Sequence, residues 1–112
     1  MVKIGIVGIG FMGMIHYYAS KRVEGAEVIA ICTRNPKKLA GDWSDIQGNF
    51  GPRGGIEDLS RLRKYNELDD ILVDKDIDML DICLPTHIHT ETSIAGLKAG
   101  KHVLVEKPIA LD

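Results

Sequence analysis

Residues 2–13 read VKIGIVGIGFMG. The run divides at Gly8. Up to that point, Val2–Gly8 is short, apolar and β-branched, the make-up of a buried strand. Beyond it, over Phe11–Arg22, the period changes: Ile15, Tyr18, Ala19 and Arg22 recur at helical spacing, and the first three give that helix an apolar face. Gly8, Gly10 and Gly13 form a GxGxxG spacing that follows a strand and opens a helix. Each glycine then has its own task. Gly8 permits the tight turn, Gly10 removes a side chain where a pyrophosphate approaches the backbone, and Gly13 lets the helix lie close to the sheet. The first helical turn, with Phe11 and Met12, offers its N–H groups and the positive end of the helix dipole to the anion. The plainer alternative is a glycine-rich turn with no ligand. The strand-turn-helix context favours the pyrophosphate.

Outward from this turn the chain alternates. Gly25 is placed to stop the first helix. Glu27–Cys32 (EVIAIC) is a second buried strand, and Asn35-Pro36 reads as an N-cap followed by proline at the first helical position. That short helix runs through Leu39 and Ala40 to Gly41. Residues 41–55 carry five glycines and one proline and read as a loop, which Trp43 and Phe50 pin to the body. A short edge strand is expected around Tyr65, then a helix through Leu68, Ile71 and Leu72 capped by Asn66. Met79–Leu84 is a strand ended by Pro85. Thr90–Ala99 is a helix with Ile94, Leu97 and Lys98 at helical spacing and Gly100 at its end, and His102–Val105 is the last strand. This order predicts an α/β fold: a Rossmann-like, doubly wound, mainly parallel sheet in the order 3-2-1-4-5, with helices on both faces.

Composition bounds the rest. The chain has 112 residues, 45% hydrophobic and 27% charged, with a net charge of −2. That suits one globular domain and argues against a basic nucleic-acid or membrane-surface binder. No apolar run approaches the roughly 20 residues of a membrane helix. The first ten residues lack the pattern of a signal peptide. Cys32 and Cys83 sit in apolar runs, as buried thiols of a reducing, cytoplasmic compartment do. Residues 66–81 hold seven acidic residues against one lysine. Their spacing lacks a calcium-loop pattern, so they read as a solvated face.

Three further segments carry chemistry. Twenty positions after Gly13, where an acidic residue would grip the adenosine ribose of NAD, stands Thr33, followed by Arg34. Without a carboxylate there is no repulsion of a 2′-phosphate, and Arg34 supplies a charge-assisted fork. The reading leans toward NADP; if Arg34 only stacks on the adenine, the pocket takes either NADP or NAD. Leu84-Pro85-Thr86-His87-Ile88-His89 lies past the carboxyl end of a strand beside the first, where ligands bind in such sheets. Thr86 can hydrogen-bond a ribose or amide, and His89 either caps the next helix or lines the pocket. His87 and His89 lack a third ligand at metal-site spacing, so no metal is expected. Lys107, in GKHVLVEKP, sits at the carboxyl end of the last strand. Beside a cationic nicotinamide ring its pKa would fall, and it could act as an acid–base group.

Together GIVGIGFMG, AICTRNP, DICLPTHIH and AGKHVLVEKP resemble the nucleotide-binding half of the Gfo/Idh/MocA family, which includes glucose–fructose oxidoreductase and inositol dehydrogenase. The resemblance spans Val2–Leu111. It implies NAD(P)-dependent oxidation of a sugar or polyol hydroxyl, or the reverse reduction. It implies a catalytic role for Lys107, a place for Glu106 near the nicotinamide ribose, and Pro85, Thr86 and His89 along the cofactor crevice. Two departures stand out: Thr33 replaces the family's usual aspartate, and residues 41–55 are glycine-rich where a helix more often continues. Family enzymes are about three times longer and carry substrate-binding residues on a second domain. The expectation is therefore a piece of a longer enzyme, ending before the last strand of its own sheet, that binds cofactor without turnover. An exposed last strand predicts self-association into a homo-oligomer. A non-catalytic dinucleotide sensor is the rival from another class, although a sensor has no need of Lys107.

Overall fold

A computed structural model describes residues 1–47 and 53–105. Five parallel strands form one sheet in the order β3-β2-β1-β4-β5: β1 is Val2–Val7, β2 Ala26–Cys32, β3 Arg63–Tyr65, β4 Met79–Ile82 and β5 His102–Val105. The helices between them are α1 (Phe11–Ser20), α2 (Pro36–Leu39), α3 (Leu68–Leu72) and α4 (Thr86–Lys98). Fold and strand order are as the alternation of the sequence predicts. The order reverses at β1, which places the ends of β1 and β4 beside a crevice where strand connections diverge to opposite sides.

Period-two alternation along β1 divides the core. Ile6 faces a cluster with Met14, Tyr17, Ile31, Trp43 and Leu59. Val7 faces the other side with Ala30, Cys32, Ile71, Leu80 and Ile82. Gly5 shares that second face, where a Cβ would come within 2.9 Å of the Ile71 side chain, so this strand glycine lets the α3 side close onto the sheet. Trp43 is fully buried, stands edge-on to Tyr17 at 5.2 Å between ring centroids, and donates its indole N–H to the Lys38 carbonyl. The tryptophan thus pins its loop to α1, as expected. Phe50 lies outside the described residues.

Several boundaries and faces differ from the sequence reading. α1 ends at Ser20, and Gly25, at φ +84°, instead makes the turn into β2. The buried face of α1 is Gly13, Met14 and Tyr17, while Ile15 and Tyr18 are half-buried and Ala19 exposed. The helical stripe is shifted by one residue because small Gly13 marks the closest approach to the sheet. Asn35 caps α2 as predicted, its side chain accepting from the N–H groups of Lys37 and Lys38. The residue at the N-cap of α3 is Glu67, one later than Asn66. α4 starts at Thr86, four residues earlier than expected, with Pro85 as its N-cap residue. Its inward side is Thr92 and Gly96, and Ile94 and Leu97 point outward. A Cβ on Gly96 would lie 3.0 Å from Val103 and 3.1 Å from Leu80, so close packing, not apolar character, selects the face.

Lys101, in the GKHVLVEKP segment, has a structural role. Its ammonium is buried and donates to the carbonyls of Asp74 and Ile77 at 2.8 and 3.0 Å, clamping the connection from α3 to β4. A buried charge with such partners avoids the cost of an unpaired one.

Candidate functional site

The carboxyl ends of β1, β2 and β4 meet around the glycine turn. Gly8 takes φ +97°, and a Cβ there would fall 2.7 Å from the carbonyl oxygen of Cys83. A Cβ on Gly13 would fall 2.2 Å from the Gly8 carbonyl oxygen. Both contacts are with backbone, which cannot move aside, so these two positions must be glycine for the turn to close. Gly10 is different. Its φ is −114°, and a Cβ would meet nothing within 4 Å. Among the described residues, no packing calls for glycine at position 10. The open space it borders is where a ligand would come close to the backbone.

Gly10 is the N-cap residue of α1, with no side-chain cap and no acidic residue in the first turn. The helix therefore meets the turn with its positive end and without a carboxylate in its own first turn. Phe11 lines a cleft of about 420 Å³ beside Gly10, together with Lys37, Lys38 and Asp45. Met12 is partly exposed at the same end. An anion of pyrophosphate size can be held here by backbone N–H groups.

A second cleft, of about 360 Å³, runs from Gly8 across the end of β2 to α4. Cys32, Thr33, Arg34, Leu68, Leu84, Ile88 and Thr92 line it. Its apolar walls fit a flat ring, with Thr33 and Arg34 at the rim. The Thr33 hydroxyl accepts from the N–H of Asn35, and the Thr33 N–H donates to the Tyr65 carbonyl. Arg34 is 82% exposed and, among the described residues, pairs with the exposed Glu67 at 3.2 Å. Such a pair is weak in water and yields to a stronger anion. Lys37 is engaged with Asp45 and Asp42. A larger hollow of about 900 Å³ lies at the amino ends of the strands, around Met79 and His102. It is remote from the glycine turn and from the helix N-terminus, so the chemistry favours the smaller clefts.

The predicted residues are thus only partly assembled. Gly10 and Phe11 line the first cleft and Gly8, Thr33, Arg34 and Leu84 the second, while Met12 and Gly13 follow in the first turn of α1. Pro85 and the backbone of Thr86 start α4 beside them. His89 lies inside the first turn of α4, so it is not the cap; the helix begins early because Pro85 already presets the entry. The side chains of Thr86 and His89, and all of Glu106 and Lys107, lie outside the described residues.

A further group of side chains meets beside the turn. His16 on α1 donates from Nδ1 to Asp81 on β4 at 2.6 Å, and the Cys83 sulfur lies 3.5 Å from the same nitrogen. The Cys83 thiol also lies 3.5 Å from Asp81 Oδ1. The hydrogen bond to Asp81, then that to Cys83, holds the imidazole protonated, with its pKa pushed up to about 11. Burial pushes the Cys83 thiol upward. Cys83 is therefore not a plain core thiol but a half-buried one inside a polar cluster. The sequence signals were present, a histidine three residues past the last glycine and an aspartate inside an apolar strand, but nothing in one dimension joins them.

Comparison with known proteins matches this geometry. Residues 2–112 fit the model of an oxidoreductase family with an NAD-binding Rossmann fold. Inositol 2-dehydrogenase of Salmonella typhimurium is 31% identical over 111 residues, covering 98% of this chain and 30% of that protein. Levoglucosan dehydrogenase of Pseudarthrobacter phenanthrenivorans is 32% identical, over 97% of this chain and 27% of that protein. Scyllo-inositol dehydrogenase of Lactobacillus casei, solved with NAD(H) and scyllo-inositol, superposes with a TM-score of 0.78 at 33% identity, covering 100% of this chain and 29% of its own. The chain thus spans about 30% of the length of these relatives. No described helix is long and apolar enough to cross a membrane. A glycine turn open only at Gly10, on a 3-2-1-4-5 parallel sheet matched along its whole length, identifies this chain as a member of the Gfo/Idh/MocA oxidoreductase family, carrying its NAD-binding Rossmann fold.

Proposed function

We propose that this chain is the cofactor-binding part of a dehydrogenase that oxidises a hydroxyl of a sugar or polyol, or reduces the corresponding carbonyl. The carrying observation is the contrast within the glycine turn. Gly8 and Gly13 are required by packing, whereas Gly10 faces open space and makes sense only with a ligand. In this reading Gly8, Gly10, Phe11, Met12 and Gly13 hold the pyrophosphate by backbone, and the cleft beside Leu84 takes the adenine. Pro85, Thr86 and His89 flank the nicotinamide side, with Glu106 near its ribose. The cofactor supplies the hydride acceptor when bound. Lys107 takes the proton of the substrate hydroxyl as the C–H bond breaks, and returns it in the reverse direction. The substrate itself is held by a second domain beyond residues 1–112; in the 112-residue chain taken alone, the β5 edge pairs with a second copy.

Cofactor choice rests on Thr33 and Arg34. The end of β2 carries Thr33 in place of a carboxylate, and among the described residues Arg34 is paired with an exposed acid, Glu67. NADP is therefore the preferred partner, with NAD accepted. Calorimetric titration tests this. NADPH should bind more tightly than NADH, and Arg34→Ala should weaken NADPH by about 1–3 kcal/mol, the usual range for a charge-assisted hydrogen bond, and NADH little. Equal affinities that the substitution leaves unchanged would remove the NADP preference. Failure of both dinucleotides to bind would remove the functional reading.

A further inference from the structure

We propose that His16 is a positioning residue for the bound dinucleotide: through its hydrogen bond to Asp81 it ties α1 to the end of β4 and sets the wall against which the glycine turn closes. The proposal rests on the reading above, that this turn holds the pyrophosphate. His16 lies three residues after Gly13, and side chains on a helix lean toward its N-terminus, so the imidazole reaches back toward the turn. Cys83 is the shared element. On one side its backbone meets the turn, with its carbonyl oxygen 2.7 Å from where a Gly8 Cβ would sit and its Cβ 3.7 Å from that of Gly13. On the other side its sulfur touches both His16 and Asp81 at 3.5 Å. A displacement of the His16–Asp81 pair is therefore passed to the turn through a single residue. Asp81 is 6% exposed, so loss of His16 would strand a buried carboxylate and oblige the end of β4 to shift or admit water.

The test compares ligands that differ only in whether they use the turn. Binding of NADPH, ADP and adenosine is measured by calorimetry on this chain and on His16→Leu. The expected result is a loss of at least tenfold for NADPH and ADP with adenosine unchanged, because adenosine lacks the pyrophosphate. The double variant His16→Gln/Asp81→Asn restores a neutral hydrogen bond and should recover part of the loss. A merely structural role would weaken all three ligands together, or none, and either result overturns the proposal. Should His16→Leu fail to fold by circular dichroism, Asp81→Asn takes its place, with at least threefold weaker NADPH and unchanged adenosine expected. If the unaltered chain binds none of the three ligands, the functional reading fails instead, and the two failures are told apart.

Discussion

The two halves of the sheet are finished differently on the face that carries α1. Over β1 and β2 that face is sealed: Ile6, Met14, Ile31 and Trp43 are fully buried, and the loop after α2 folds back across α1 to complete the cover. Over β4 and β5 the same face carries Asp81 and its strand partner Leu104, which is 50% exposed. The opposite face of β4 and β5 is covered, by Gly96 and its neighbours on α4. The first half thus satisfies itself with apolar packing. The second is joined to α1 by a polar contact, His16 to Asp81, and leaves an apolar residue in water. A face closed by packing resists change through volume, and one closed by a polar pair responds to charge and pH.

Trp43→Ala should show the largest effect. It removes a fully buried indole from the sealed half and should cost about 3–5 kcal/mol, read as a lowered urea midpoint. A loss below about 1 kcal/mol would mean that the loop contributes little and that the two halves are alike. The glycine turn sharpens the contrast next. Gly13→Ala forces a Cβ against backbone and should destabilise by about 1–3 kcal/mol or more. Gly10→Ala should change stability by less than about 0.5 kcal/mol while weakening NADPH binding. Equal destabilisation by both would show that Gly10 is also required by packing.

A pH series probes the polar join. His16 has a folded pKa of about 11 against an ordinary 6.5, so its stabilisation is complete below pH 6.5. It shrinks as pH rises above that, because the unfolded chain gives up its proton first, and it is gone once the folded imidazolium deprotonates. Asp81 and Cys83 are the described titratable groups that face it. The gap in urea midpoint between the unaltered chain and His16→Gln should therefore narrow from pH 6 to pH 10. A constant gap would mean that the imidazole is neutral throughout. The smallest effect is expected at Leu104. Leu104→Thr should move stability by less than about 0.5 kcal/mol, as exposed positions do. In light scattering across a concentration series it should lower any self-association through β5.

Much of this was legible in one dimension. The GxGxxG spacing, the apolar strand runs and the alternation of elements depend on local periodicity and on turn chemistry, which neighbouring residues set by themselves. They determined the fold class, the strand order and the position of the glycine turn, and Asn35-Pro36 likewise announced its cap. What needed tertiary structure was the choice among equivalent local options. Ile94 and Leu97 have the right spacing for a buried face, yet Gly96 is the residue that faces the sheet, because helix–sheet distance is fixed by the smallest side chain at the contact. The meeting of His16, Asp81 and Cys83 spans 67 residues of sequence. A pairwise contact of that reach is created by the parallel neighbouring of β1 and β4, and no local pattern encodes it.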